Sequence, residues 1–200
     1  MDNKLDIDIY DFDKTIFPYD SGTLFFIRSM IHYPWCLVLL PVISVAFLAM
    51  FAGLISFTQF KKICYIYIPF IPKERAVISF WNRYEKLIQP WFKENDRFAV
   101  VISASPDFLL EEIAKRKKFD ALISTRHSKK TGIIVGENCR GEEKIRRLYE
   151  VFKKDEINVV DVYSDSLKHD KYIFSLANGK CFQIVKGERI EFNYSEVYSD

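Results

Sequence analysis

From Ser29 to Phe60 the chain carries no aspartate, glutamate, lysine or arginine, and Trp35 to Phe57 is almost continuously apolar. Arg28 precedes this run and Lys61-Lys62 follow it. At about 1.5 Å per helical residue, a stretch from Trp35 to Phe57 reaches across a bilayer core of roughly 30 Å. Hydropathy alone therefore reads a membrane span. Yet if the segments on its two sides build one domain, a single crossing would part them. Pro34, Pro41 and Gly53 are the candidate break points. Three arrangements stay open: a re-entrant or interfacial hairpin docked on a membrane, a helical cap wholly in water, and a paired span. A helix packed into a cap normally keeps a polar face, and this one offers only Ser44, Ser56 and a few small residues, which favours the docked hairpin. A second apolar patch, Ile63 to Ile71, is too short for an ordinary span.

The segment before the run has a different character. Leu5, Ile7 and Ile9 alternate with Asp6, Asp8 and Tyr10, the period of a strand. Asp11-Phe12-Asp13-Lys14-Thr15 follows at once. An Asp-rich turn after a strand is an ordinary connection. Two carboxylates one residue apart at a strand end can also address one ligand together, one attacking or binding a metal while the other handles a proton.

After the run, residues 73–89 read as an amphipathic helix stopped by Pro90, with Val77, Phe80, Trp81 and Tyr84 on its apolar side. Strand and helix patterns then alternate. Strands are expected at Phe98–Ile102, Ala121–Ile123, Val159–Tyr163 and Phe182–Val185, and helices at Pro106–Arg116, Gly141–Phe152 and Lys168–Ala177. A hairpin is expected around Thr131-Gly132. This order predicts an α/β fold, a Rossmann-like parallel sheet flanked by helices, with an all-helical cap inserted after the first strand. The catalytic core is assigned to residues 1–18 and 95–200, and the cap to 19–94.

In parallel sheets ligands bind beyond the carboxyl ends of the strands. Those ends deliver Asp11 and Asp13, then Ser103 with Ser105 close behind, then Ser164-Asp165-Ser166 with Asp170. Lys144 lies in the first turn of its helix. Each has a plainer reading: a helix cap for Ser103, a solvated lysine for Lys144, a loop acid and a cap for Asp165 and Asp170. Together, carboxylates, a hydroxyl and a lysine can hold a phosphate beside a divalent metal.

Composition removes other classes. A net charge of +2 gives no footprint for nucleic acid. The basic runs Lys115–Lys118 and Arg126–Lys130 read as solvated faces. Cys36, Cys64, Cys139 and Cys181 are widely spaced, as free thiols in a reducing compartment would be, and form no zinc pattern. The first residues lack the basic start and apolar region of a signal peptide, so a cytoplasmic protein is expected, peripheral at the inner face of the membrane if residues 35–57 dock there.

Asp11-Phe12-Asp13-Lys14-Thr15, Ser103 after its apolar strand, Lys144, and Ser164–Asp170 resemble, in order, the four motifs of the haloacid dehalogenase superfamily. The insertion resembles the cap of its phosphoserine-phosphatase-like branch. Ile102–Pro106, Gly141–Lys144 and Tyr163–Ser166 are similar to bacterial subfamily IB hydrolases, some of which act on phosphatidylglycerophosphate. Ser164 stands where many members have glycine.

The resemblance implies a Mg²⁺-dependent phosphomonoester hydrolase working through an aspartyl-phosphate. Asp11 would be the nucleophile and Asp13 the general acid/base. Thr15, Ser103, Ala104 and Lys144 would hold the phosphate, and Asp11, Asp13, Asp165 and Asp170 the Mg²⁺. The apolar run exceeds what a soluble phosphoserine phosphatase needs and favours a lipid phosphate. The alternatives are a small soluble phosphomonoester, transfer to another acceptor, and a non-catalytic membrane-associated binding protein.

Overall fold

The computed structural model describes residues 4–198. Six strands form one sheet: β1 (Leu5–Tyr10), β2 (Phe98–Pro106), β3 (Ala121–Thr125), β4 (Ile157–Ser164), β5 (Cys181–Val185) and β6 (Glu188–Phe192). Their order is β3-β2-β1-β4-β5-β6, and all neighbours are parallel except β5 and β6. From β1 the chain moves outward on one side to β2 and β3, then returns to the other side as β4. The topological switch therefore falls at β1, where such sheets open a crevice.

β1 is buried on both faces. Ile7 and Ile9 pack with Val100, Ile102, Leu148 and Phe174, while Tyr10 joins a second core with Phe25, Phe80 and Trp81 from the insertion. Tyr10, Tyr163 and Phe182 stack across β1, β4 and β5, with ring centroids 4.6 and 4.8 Å apart. The period-2 pattern would have put Asp8 towards water, but its face is covered. Asp8 is fully buried, where it accepts hydrogen bonds from Arg97 Nε (2.8 Å) and the Asp161 backbone (3.1 Å).

After β2 come α5 (Asp107–Lys117), α6 (Glu142–Val151) and α7 (Leu167–Phe174), close to their expected places, and a short α8 (Tyr194–Val197) that the sequence pattern does not announce. The hairpin near Thr131-Gly132 is present as a short loop closed by one bridge between His127 and Ile134. β6 escaped the sequence reading. Its Glu-Arg-Ile-Glu-Phe is an exposed edge, and the Lys186-Gly187 turn that makes it has φ of +52° and +89°.

The insertion holds α1 (Ser21–His32), α2 (Leu40–Phe51), α3 (Phe57–Cys64) and α4 (Lys73–Tyr84). The helix expected over 73–89 ends at Tyr84 and tightens into a 3₁₀ turn over Glu85–Leu87. The apolar run is not one continuous helix. Pro34 opens a 3₁₀ segment to Leu39, and Pro41 sits in the first turn of α2, where its missing N–H costs nothing. Gly53, at φ +74°, then turns the chain. A capping box starts α3: Ser56 Oγ accepts from Gln59 N (3.2 Å) and Ser56 N donates to Gln59 Oε1 (2.7 Å).

Candidate active site

A tight turn follows β1. The Phe12 carbonyl accepts from Thr15 N and Phe17 N at 3.3 and 2.9 Å, and Lys14 adopts φ +60°. Asp11 stays close to the strand line, its N–H donating to the Tyr163 carbonyl of β4 at 2.8 Å. Lys144 Nζ donates to Asp11 Oδ1 and Thr15 Oγ1 to Oδ2, at 2.7 and 3.3 Å. The carboxylate is thus fixed at both oxygens.

Lys144 reaches this point because Gly141, at φ +61°, turns the chain sharply into α6. The ammonium is buried between Asp11 and Asp170, 2.7 Å from each. Burial alone would lower its pKa, but Asp11 and then Asp170 outweigh that and hold it above the ordinary lysine value. One ammonium thus serves two carboxylates. Burial pushes Asp11 up to about 8 against the pull of Lys144, and Asp170 adds to the rise.

Asp13 faces the start of α1. Ser21 N donates to its Oδ1 at 2.8 Å, and Ser105 Oγ donates to Oδ2. Burial, then the charge of Asp20, lifts Asp13 to about 6. Ser103 Oγ accepts from Ser105 N at 3.0 Å, which fixes the loop at the end of β2. Asp165 follows β4, and burial and Asp170 raise its pKa. Asp170 turns inward, where Ser164 Oγ donates to it at 2.5 Å.

Asp11, Asp13, Ser103, Ala104, Lys144, Asp165 and Asp170 line one cavity of about 630 Å³. Thr15 does not line it. Thr15 is fully buried, and its hydroxyl accepts from Asp165 N at 2.9 Å while bonding Asp11, so it ties the ends of β1 and β4 together.

Several cavity residues were not singled out from the sequence. Lys61 comes from α3, and its Nζ donates to the Ala104 carbonyl (2.5 Å) and Asn138 Oδ1 (3.2 Å); burial lowers its pKa. A usable signal existed: Lys61 is the first charge after the uncharged run, on a helix announced by Ser56-x-x-Gln59. Arg140 and His169 meet at the mouth, 2.6 Å apart, with the Arg140 guanidinium over the Phe57 ring at 5.2 Å. Nothing local in the sequence joins those three. Phe26, Ile43 and Phe60 line the same cavity and give it apolar surface.

The donor set at the floor is all oxygen, which suits a hard divalent cation. Among the described residues no three His, Cys, Asp or Glu side chains converge closely enough to cage a metal. Asp11 and Asp165 are carboxylates of this cavity that could serve Mg²⁺, an ion that keeps several waters and takes few protein ligands.

Residues 9–171 match the profile of the haloacid dehalogenase-like hydrolases. The chain belongs to this family. Its fold is similar to that of other members. A phosphoserine phosphohydrolase-like protein from Francisella tularensis superposes with a TM-score of 0.56 at 15% identity, over 93% of this chain and 90% of that one. A phosphoserine phosphatase solved as a phospho-aspartyl intermediate analogue gives 0.57 at 18% identity, over 90% and 87%. In sequence, Protein CicA of Caulobacter vibrioides is 33% identical over 94 residues. That match spans 44% of this chain and 41% of CicA, less than half of each.

Proposed function

We propose that the protein is a Mg²⁺-dependent phosphomonoester hydrolase that works through an aspartyl-phosphate on Asp11. One observation carries this reading: Asp11 stands at the switch point of the sheet, held by Lys144 and Thr15, with the protonatable Asp13 in the same cavity. An Asp11 oxygen attacks phosphorus and the ester P–O bond breaks. The leaving alkoxide takes a proton from Asp13, whose pKa of about 6 suits donation and acceptance near neutrality. Asp13 then accepts a proton from water as the water oxygen attacks phosphorus, which frees phosphate and restores Asp11. Ser103, the Ala104 backbone and Lys144 hold the phosphoryl oxygens. Thr15 contributes by keeping Asp11 and the Asp165 loop in place.

Asp11, the Asp13 carbonyl and Asp165 are the proposed Mg²⁺ ligands, with Asp170 one layer behind because Lys144 and Ser164 occupy it. When bound, the ion supplies the positive charge that lets an anionic carboxylate approach an anionic phosphate. Residues 1–18 and 95–200 act as the catalytic unit and 19–94 as its cap.

The substrate is a phosphate ester with a hydrocarbon-bearing alcohol, a lipid phosphate such as phosphatidylglycerophosphate. Support comes from the wall of Phe26, Ile43, Phe57 and Phe60 beside the phosphate floor. A second reading, a soluble ester such as phosphoserine, draws on the likeness in fold to phosphoserine phosphatases. A screen of lipid phosphates against soluble monoesters separates the two. The reaction itself is tested with Asp11→Asn, which should cut Mg²⁺-dependent release of phosphate from an aryl phosphate on the order of 10⁴-fold. Full activity in that variant would sink the assignment.

A further inference from the structure

The insertion has two apolar faces, and the catalytic cavity uses one of them. Ile43 and Ala46 of α2 are buried, and Ile43, Phe57 and Phe60 line the cavity. The other face stands open: Val38, Phe51 and Leu54 are 77%, 85% and 79% exposed, and Val42, Val45 and Leu48 are exposed between them. Of the 18 residues from Pro34 to Phe51, whose mean hydropathy is 2.3, only 17% are buried. A core helix in water buries such residues, and a continuous exposed apolar face of this kind marks a contact surface.

Charge indicates what covers it. Between Asp20 and Glu74 the chain has four basic side chains, Arg28, Lys61, Lys62 and Lys73, and no acidic one. More basic residues join at the aromatic end. Trp35 Nε1 donates to the Phe70 carbonyl at 3.0 Å, and both rings are exposed. Gly132 packs so tightly against Ile68 that a Cβ there would sit 2.4 Å from it. Lys73 Nζ donates to the Lys129 carbonyl at 2.9 Å, and Glu74 pairs with Lys73 at 3.5 Å. Exposed Lys129 and Lys130 therefore lie on a loop that packs on the Ile68–Lys73 segment, to which Trp35 is hydrogen-bonded. A second copy of the chain on this face would bring like charges together. An anionic bilayer answers both features, taking the apolar side chains into its acyl boundary and the lysines onto its headgroups.

We propose that the outer face of Pro34–Leu54, with Lys62, Lys129 and Lys130 at its rim, docks on an anionic bilayer. The hairpin lies in the surface without crossing it, because Lys61 of the returning helix lines the same cavity as Asp11. Docking sets the cavity at the level of the headgroups. The proposal deepens the lipid-phosphate reading and rests on it for the purpose of docking.

Vesicle flotation tests it. The protein should float with phosphatidylcholine vesicles containing roughly a third phosphatidylglycerol, about tenfold more than with phosphatidylcholine alone, and less in high salt. Val45→Glu with Leu48→Glu should reduce flotation at least about tenfold. Lys129→Glu with Lys130→Glu should reduce it less and remove most of the salt dependence. Both double variants should hydrolyse a soluble aryl phosphate at the parent rate, so loss of docking stays distinct from loss of catalysis. The proposal is overturned if the parent stays in the soluble fraction, if the Val45/Leu48 variant floats like the parent, or if light scattering finds a dimer that this variant dissolves.

Discussion

The end of β1 buries charge, while α2 exposes hydrocarbon. Asp11, Lys144 and Asp170 are each less than a tenth exposed, whereas Val38, Phe51 and Leu54 are mostly in the open. Both regions run against the usual distribution of residues, and for different reasons. The buried charges satisfy one another: Lys144 bridges Asp11 and Asp170, and Ser164 and Thr15 fill the remaining positions. Among the described residues, nothing covers the exposed apolar side chains in that way. Buried charge of this kind is compensated from within the fold, whereas the apolar face of α2 is the ground for the docking proposed above.

The largest effect should come from breaking the buried side of this contrast. Lys144→Met leaves two buried carboxylates without their ammonium, and urea unfolding should show a loss of about 3–5 kcal/mol. Adding Asp170→Asn should recover part of it. An unchanged unfolding midpoint in Lys144→Met would mean that the carboxylates do not depend on that ammonium.

A smaller effect links the same carboxyls to metal. Without Mg²⁺, Asp11 and Asp13 keep their protons to about pH 8 and about pH 6, against an ordinary value of 3.8. At these two groups the folded form binds more protons than the unfolded chain, from about pH 4 up to about pH 6 at Asp13 and about pH 8 at Asp11, so their contribution to metal-free stability falls as pH rises through that window. Mg²⁺ must displace the proton on Asp11, whereas Asp13, which offers only its backbone carbonyl, keeps its own. The apparent affinity for Mg²⁺ should rise with pH, roughly tenfold per unit for each proton released, and level off above about pH 8. Calorimetry in buffers of different ionisation enthalpy counts the protons directly, and a pH-independent affinity would contradict the site as drawn.

The smallest effect should come from the exposed side. Val42→Ser and Val45→Ser, on the open face of α2, should each change stability by no more than about 0.5 kcal/mol in vesicle-free buffer. A loss of several kcal/mol would show that this face is covered within the protein in solution.

Much of the architecture was legible because local chemistry repeats along the chain. Short β-branched runs such as Phe98–Ile102 and, interrupted only by Asp161, Val159–Tyr163 read as strands, and they occur as β2 and β4. β6 was not legible, because Glu188–Phe192 has an edge strand's mixed polarity and its pairing depends on the Lys186-Gly187 turn. At the site, Asp11, Asp13, Ser103, Lys144, Asp165 and Asp170 could be listed from strand ends and helix starts. Arg140 and His169 could not, since the loop before α6 and the first turns of α7, far apart in sequence, bring them together at the cavity.

The sequence by itself determined that an uncharged apolar segment interrupts an α/β chain whose strand ends carry acids. Composition and period are local properties, so no tertiary information is needed to see them. Only the tertiary structure decided how the run turns at Gly53, which side chains face the cavity, and which are left outside. It also decided that Thr15 joins two loops without lining the cavity, and that Asp170 turns to Lys144 and Ser164. Those choices depend on which polar group reaches a partner first in a crowded interior, and that is fixed by packing across the whole sheet.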